Sequence, residues 1–240
     1  MKITSVNNEL VKESAKLLQR KYREEAGLFL LEGDKCIEEA IESGLEIVRI
    51  FKEVGYAKFP DAIETTEAVL SKISSTSTAP KAVAVAKMLK TEWNENYKKV
   101  VLLENIKDAG NLGTILRTSA AFGVDAVVLY GDTVDLYNPK CVRSSVGNLW
   151  KVPVLKMEDL SIFTSFERVA TLPKAENTVW LKDYKPAQKV LIMFGAESMG
   201  LSEELKSFAT KNVTIEMDNK VESLNLSISV GVFLYTTLGL

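Results

Sequence analysis

KVVLLENIKDAGNLGTILRTSAAFGVDAVVLYG, residues 99–131, decides the architecture of the chain. Its first eight residues hold an unbroken apolar run at 100–103, the pattern of a strand covered on both faces rather than one alternating between core and water. A short polar stretch, KDAGNLG, then reads as a loop. TILRTSAAFG carries helical spacing, and VDAVVLYG is a second apolar strand. Strand, loop, helix and strand in that order predict a parallel sheet with right-handed crossovers. Downstream, KVPVL, RVATL, KVLIMFG and NVTIEM supply further strands, and an apolar C-terminal helix closes the chain.

Upstream, residues 1–90 predict a smaller α/β unit. A basic helix at 11–23 precedes a strand at 26–33, a helix closed by Gly44 and a strand at 46–53. A further helix leads into a Ser/Thr-rich turn, and KAVAVAKM forms another strand. Residues 91–98 are polar without a period and mark a linker, leaving 99–240 as the second domain. There is no internal repeat and no low-complexity segment.

The 240-residue chain is 46% hydrophobic and 26% charged, an ordinary globular composition. The first residues lack an apolar signal segment, and no apolar run reaches the roughly 18 residues of a membrane span. Cys36 and Cys141 form no CxxC pair. Neither a disulfide framework nor a metal site is expected, and a reducing cytoplasm fits. The chain has no histidine, which excludes Ser-His-Asp hydrolysis and any imidazole base. A net charge of −2 leaves no global attraction for nucleic acid. A local patch can still supply phosphate contacts. In VKESAKLLQRKYR, Lys12, Lys16, Arg20 and Arg23 fall near one face of a helix, read either as an RNA-contacting face or as a solvated one.

Three segments follow predicted strands, where ligands collect in open parallel sheets. The first, ENIKDAGNLGTILRTSAAFG, carries Asn111 and Gly113 with Arg117 one turn into the helix. It matches neither a Walker A loop nor GxGxxG. The second, LIMFGAESMGLSEEL, places Gly195, Glu197 and Gly200 in a tight turn. The third, VESLNLSISVGVFLY at 221–235, puts Glu222, Ser223 and Asn225 before an apolar helix. Taken alone, those polar residues read as a helix cap.

In this order and spacing the three segments resemble the signature motifs of the SpoU (TrmH-like) RNA ribose 2′-O-methyltransferases of the SPOUT superfamily, over roughly residues 99–240. Residues 1–90 more loosely resemble the ribosomal-protein-like substrate-binding domain of many relatives. The resemblance implies a deep trefoil knot in the C-terminal parallel-sheet domain and S-adenosylmethionine bent within it. It implies methylation of a ribose 2′-hydroxyl, with 23S rRNA expected over tRNA. Catalytic roles fall to Arg117, Asn111, Glu197, Ser223 and Asn225. Cofactor contacts fall to Gly195, Ala196, Ile215, Met217, Leu224 and Asn225. RNA contacts are expected from Lys12, Lys16, Arg20, Arg23 and Arg143. A guanidinium is effectively never neutral, so Arg117 is read as a charged anchor rather than a base. A homodimer through the second domain is also implied, and Val232, Phe233 and Tyr235 are more apolar surface than one helix face buries. Two departures stand out: Ala109-Gly110 replaces a frequent proline, and Glu216 replaces the usual proline before Met217. Glu216 is the feature that favours a rival, a non-catalytic RNA-binding protein retaining the fold.

Overall fold

The computed structural model describes residues 1–173, 177–197, 199–218 and 220–239. Two compact units emerge, one of residues 1–90 with 135–151, the other of 91–134 with 152–240.

The first unit runs β1 (Lys2–Ile3), α1 (Glu9–Lys16), α2 (Arg20–Ala26), β2 (Leu28–Glu32), α3 (Asp34–Glu42), β3 (Ile47–Glu53), β4 (Ile63–Thr65), α4 (Glu67–Lys72) and β5 (Ala82–Lys87). The strands order β1-β4-β3-β5-β2, with β5 antiparallel to both its neighbours. Phe29, Leu30, Leu31 and residues 82–86 are buried, as their unbroken apolar runs predict. The basic segment departs from expectation, because two short helices replace one. Asn8 caps α1, accepting from Leu10 N at 3.0 Å. The chain then turns through an extended Gln19. Arg23 folds back so that Nη1 donates to the Leu17 carbonyl at 2.7 Å. The four basic side chains therefore do not share one helix face.

The second unit opens with β6 (Lys99–Glu104), α5 (Ala109–Ala121) and β7 (Ala126–Tyr130). The chain next forms α6 (Pro139–Ser145), which belongs to the first unit although a linear reading places it in the second. It returns as β8 (Val154–Met157), β9 (Glu167–Thr171), β10 (Thr178–Trp180), β11 (Val190–Phe194), α7 (Glu203–Phe208), β12 (Lys211–Thr214) and α8 (Leu226–Leu238). The order β10-β12-β9-β11-β6-β7-β8 is parallel at every pairing. Every strand therefore delivers its following segment to the same edge. The adjacent β6 and β11 are fully buried, apart from the half-buried Lys99, and their followers start side by side there. Residues 91–98 are part of this unit rather than a free linker: the Trp93 ring lies 5.2 Å from Phe163.

Candidate active site

The helix after β6 begins earlier than its glycines suggest. Asp108 is the cap, accepting from Asn111 N at 2.8 Å. Asn111 and Gly113 thus stand in the first turns of α5, neither in a loop nor as the cap. This leaves the Asn111 amide free to point away from its own helix. Its Nδ2 donates to Glu197 Oε1 at 2.8 Å.

The turn after β11 presents that carboxylate. Gly200 N donates to the Ala196 carbonyl at 2.8 Å, folding the segment back on itself. A Cβ built on Gly195 would lie 2.0 Å from the Gly200 carbonyl carbon, so only glycine fits. The buried Glu104, at the end of β6, fastens the far side of the turn by accepting from Ser202 N at 2.8 Å. Glu104 is a positioning residue that sequence reading passed over. Its signal was a lone carboxylate ending an apolar strand.

Asn225 joins the third segment to the other two. Its Nδ2 donates to Glu197 Oε1 at 2.8 Å and to Asn111 Oδ1 at 3.1 Å. Its Oδ1 accepts from Ser227 N at 2.9 Å and Ser227 Oγ at 2.6 Å, capping α8. A backbone N–H can only donate, which fixes the orientation of the amide. Capping and site assembly are therefore two ends of one side chain. Glu197 Oε1 also accepts from Leu226 N at 3.2 Å, at the positive end of α8.

Beside this network lies a cavity of about 400 Å³. Gly195, Ala196, Glu197, Ile215, Met217, Ser223 and Leu224 line it, whereas Asn225 reaches it only through Glu197. Leu172, Pro173 and Glu222 also line it and were not assigned contacts from the sequence. Glu216 does not line it: its carboxylate accepts from Lys182 Nζ at 2.6 Å.

Arg117 is not drawn into the network. Six residues along α5 turn it about 120° around the axis from Asn111. It is exposed and has no hydrogen bond or ion pair among the described residues. Nor does a tyrosine at this sheet edge offer a base. The Tyr130 hydroxyl donates to Glu204 at 2.8 Å, and that bond, with burial behind it, pushes its pKa to about 12.

The expected RNA contacts fare unevenly. Arg23 is buried, its guanidinium held by Asp135, so it has no surface to offer RNA. Arg143 is paired with the buried Glu32 and also reaches Ser75. Lys12 and Arg20 are exposed and paired locally, at 2.9 Å with Glu9 and at 2.7 Å with Glu24. Exposed pairs of this kind hold weakly and can be exchanged for phosphate.

An all-parallel sheet with a cavity and a three-segment polar network at one edge defines an α/β ligand-binding domain. Residues 98–235 match the model of the SpoU rRNA Methylase family, and residues 8–84 that of the MRM3-like substrate binding domain. The chain belongs to the SpoU rRNA methylase family. An uncharacterised tRNA/rRNA methyltransferase of Synechocystis is 34% identical over 97% of this chain and 92% of its own length. The 23S rRNA (guanosine(2553)-2′-O)-methyltransferase of Bacillus subtilis is 29% identical, over 99% of each. The crystal structure of the AdoMet-bound rRNA methyltransferase from Sinorhizobium meliloti superimposes with a TM-score of 0.85 at 26% identity, covering 98% and 96% of the two chains.

Proposed function

We propose that this chain transfers a methyl group from S-adenosylmethionine to a ribose 2′-hydroxyl of ribosomal RNA. The observation that carries the reading is the single oxygen of Glu197 that gathers Asn111 and Asn225 on the wall of the cavity. Three segments far apart in sequence converge there, as an active site requires and a set of helix caps does not.

The cavity suits the cofactor. Its volume falls within the ordinary range for small-molecule sites. Apolar walls from Leu172, Ile215, Met217 and Leu224 accompany the turn residues Gly195, Ala196 and Gly200. Bound there, S-adenosylmethionine supplies an electrophilic methyl group on a sulfonium. The chain's own residues align and charge-stabilise. Asn111 and Asn225 hold Glu197 fixed, and its second oxygen, Oε2, has no partner among the described residues and remains to receive a ribose hydroxyl. Ser223 lines the same cavity. Alignment of this kind contributes several kcal/mol to a displacement. Calorimetry with S-adenosylhomocysteine tests the reading: saturable binding is expected, and silence at millimolar ligand ends the case for an enzyme. The non-catalytic rival loses its main support, because Glu216 is turned to Lys182.

The trefoil knot belongs to the same reading. It is supported by the way Ile215, Met217, Ser223 and Leu224 share one cavity with Gly195, Ala196, Gly200 and Leu201. So does a cytoplasmic location, where ribosomal RNA is modified; no helix among the described residues is long and apolar enough to cross a membrane. Ribosomal rather than transfer RNA is favoured by the Bacillus subtilis relative, which aligns along its whole length.

A homodimer through α8 completes the proposal. Phe233, expected at the surface, is buried against Phe194 and Tyr184. Ile228, Val232 and Tyr235 are instead exposed, at 54%, 37% and 70%. Their spacing of four and three residues makes one apolar stripe, the pattern of a helix with a partner. Light scattering at micromolar chain should give twice the monomer mass, and Ile228→Glu with Tyr235→Glu should halve it. A parent of monomer mass would sink the dimer.

A further inference from the structure

The first unit has a cavity of its own, about 280 Å³, between the α1–α2 corner and the sheet. Arg23 builds the corner, since its bond to the Leu17 carbonyl ties α2 back onto the end of α1. Leu17, Leu28 and Val85 give the cavity an apolar floor, and Tyr22 gives it an aromatic wall.

Two features of that wall call for a ligand. The Tyr22 ring is half-buried, and its hydroxyl has no partner among the described residues. Arg49 lines the cavity with its side chain only 20% exposed, yet a single 3.4 Å contact with Glu13 is its one ion pair among the described residues. Most of the donor fork of this guanidinium has no partner among the described residues. Lys16 lies 5.7 Å and Lys21 5.9 Å from the centre of the Tyr22 ring. The cavity therefore combines a ring to stack on, an apolar floor and two lining cations, Lys16 and Arg49. Glu13 and Glu25 on its rim offer acceptors for exocyclic amino groups.

We propose that this cavity binds one unpaired nucleotide of the RNA substrate, its base stacked on Tyr22 and its phosphate gripped by Arg49 and Lys16. The inference rests on the RNA reading above and adds a second point of recognition in the first unit. Stacking of a base on an aromatic ring is a stronger contact than an exposed lysine over the same ring. An entering base thus displaces an ammonium group, which turns to the phosphate. RNA is read through splayed nucleotides of this kind, not through its deep major groove.

The test uses the full chain and two synthetic RNA hairpins, identical but for one unpaired uridine. The intact protein should bind the bulged hairpin more tightly. Tyr22→Ala should weaken that binding by about tenfold, to the level of the fully paired hairpin. Tyr22→Phe should keep the preference, because the ring is what stacks. Equal binding of the two hairpins by the parent overturns the proposal. So does a preference that survives Tyr22→Ala, or one that Tyr22→Phe fails to retain. S-adenosylhomocysteine affinity, measured on the same samples, reports the other site. A Tyr22-dependent preference in a chain that transfers no methyl group would uphold the nucleotide pocket while removing the enzymatic reading.

Discussion

Arg117→Ala should bind S-adenosylhomocysteine as the parent does, yet methylate RNA more slowly by a factor on the order of a hundred or more. The catalytic loss is what the family resemblance implies for Arg117, and the intact cofactor site follows from where the residue stands. Arg117 is exposed on α5, with no partner among the described residues, and lies outside the Asn111–Glu197–Asn225 network. Nothing in the fold depends on it, so its removal should leave the cavity intact. A side chain that stays charged and presents a planar fork of donors is suited to grip a substrate phosphate and to stabilise the developing ribose oxyanion. Arg117→Lys separates this role from that of a base. A charged grip leaves part of the activity and adds no ionisation to the pH–rate profile, since an ammonium keeps the charge but loses the fork. A base would make the rate follow the titration of the new lysine. Parent-rate methylation by Arg117→Ala would end both accounts.

Gly195→Ala should fail differently, losing cofactor binding and methyl transfer together. The added Cβ would meet the Gly200 carbonyl carbon at 2.0 Å, its oxygen at 2.1 Å and Leu201 N at 2.2 Å. All three are backbone atoms, so no side chain can swing aside. The turn must open by about an ångström, and a shift of that size at an active site costs on the order of a hundredfold in rate. Gly231→Ala is the matched control, because its Cβ would sit 3.8 Å from Thr118 Cγ2, an ordinary contact. Calorimetry and single-turnover rates should show loss in the first variant and near-parent values in the second. Normal cofactor affinity in Gly195→Ala would show that the turn has slack and is no cradle.

The second unit was legible because β6, β7 and β11 carry unbroken apolar runs and the first two motifs sit where such runs end. β1, β4 and β10 escaped notice, since two or three residues carry no period to read. Gly110 and Gly113 argue for a loop at Asn111, whereas the Asp108 cap and packing override that propensity. The signal for α6 was present in Asn138-Pro139, a cap followed by proline in the first turn, but seven residues are too few for an apolar stripe. Arg23 has the same charge as Arg20, and composition cannot tell a buried guanidinium from a solvated one. Its partner, Asp135, lies 112 residues away. The site residues were visible as types at spacings. Their joining through one oxygen of Glu197 was not, because it depends on strand order.

The excursion of residues 135–151 sets an order of events during synthesis. Domains ordinarily complete their folding as the ribosome releases them, the first before the second. Here the first unit holds Arg23, 2% exposed, whose counter-charge is Asp135, and Glu32, 6% exposed, whose counter-charge is Arg143. Breaking a buried pair by removing one partner costs about 3–5 kcal/mol, a large share of a small domain's stability. A nascent chain that has emerged only through residue 90 therefore carries two uncompensated charges. It reaches its stable form only after β6, α5 and β7 have also left the exit tunnel. The unit whose synthesis begins first is thus not finished until part of the second has already been made.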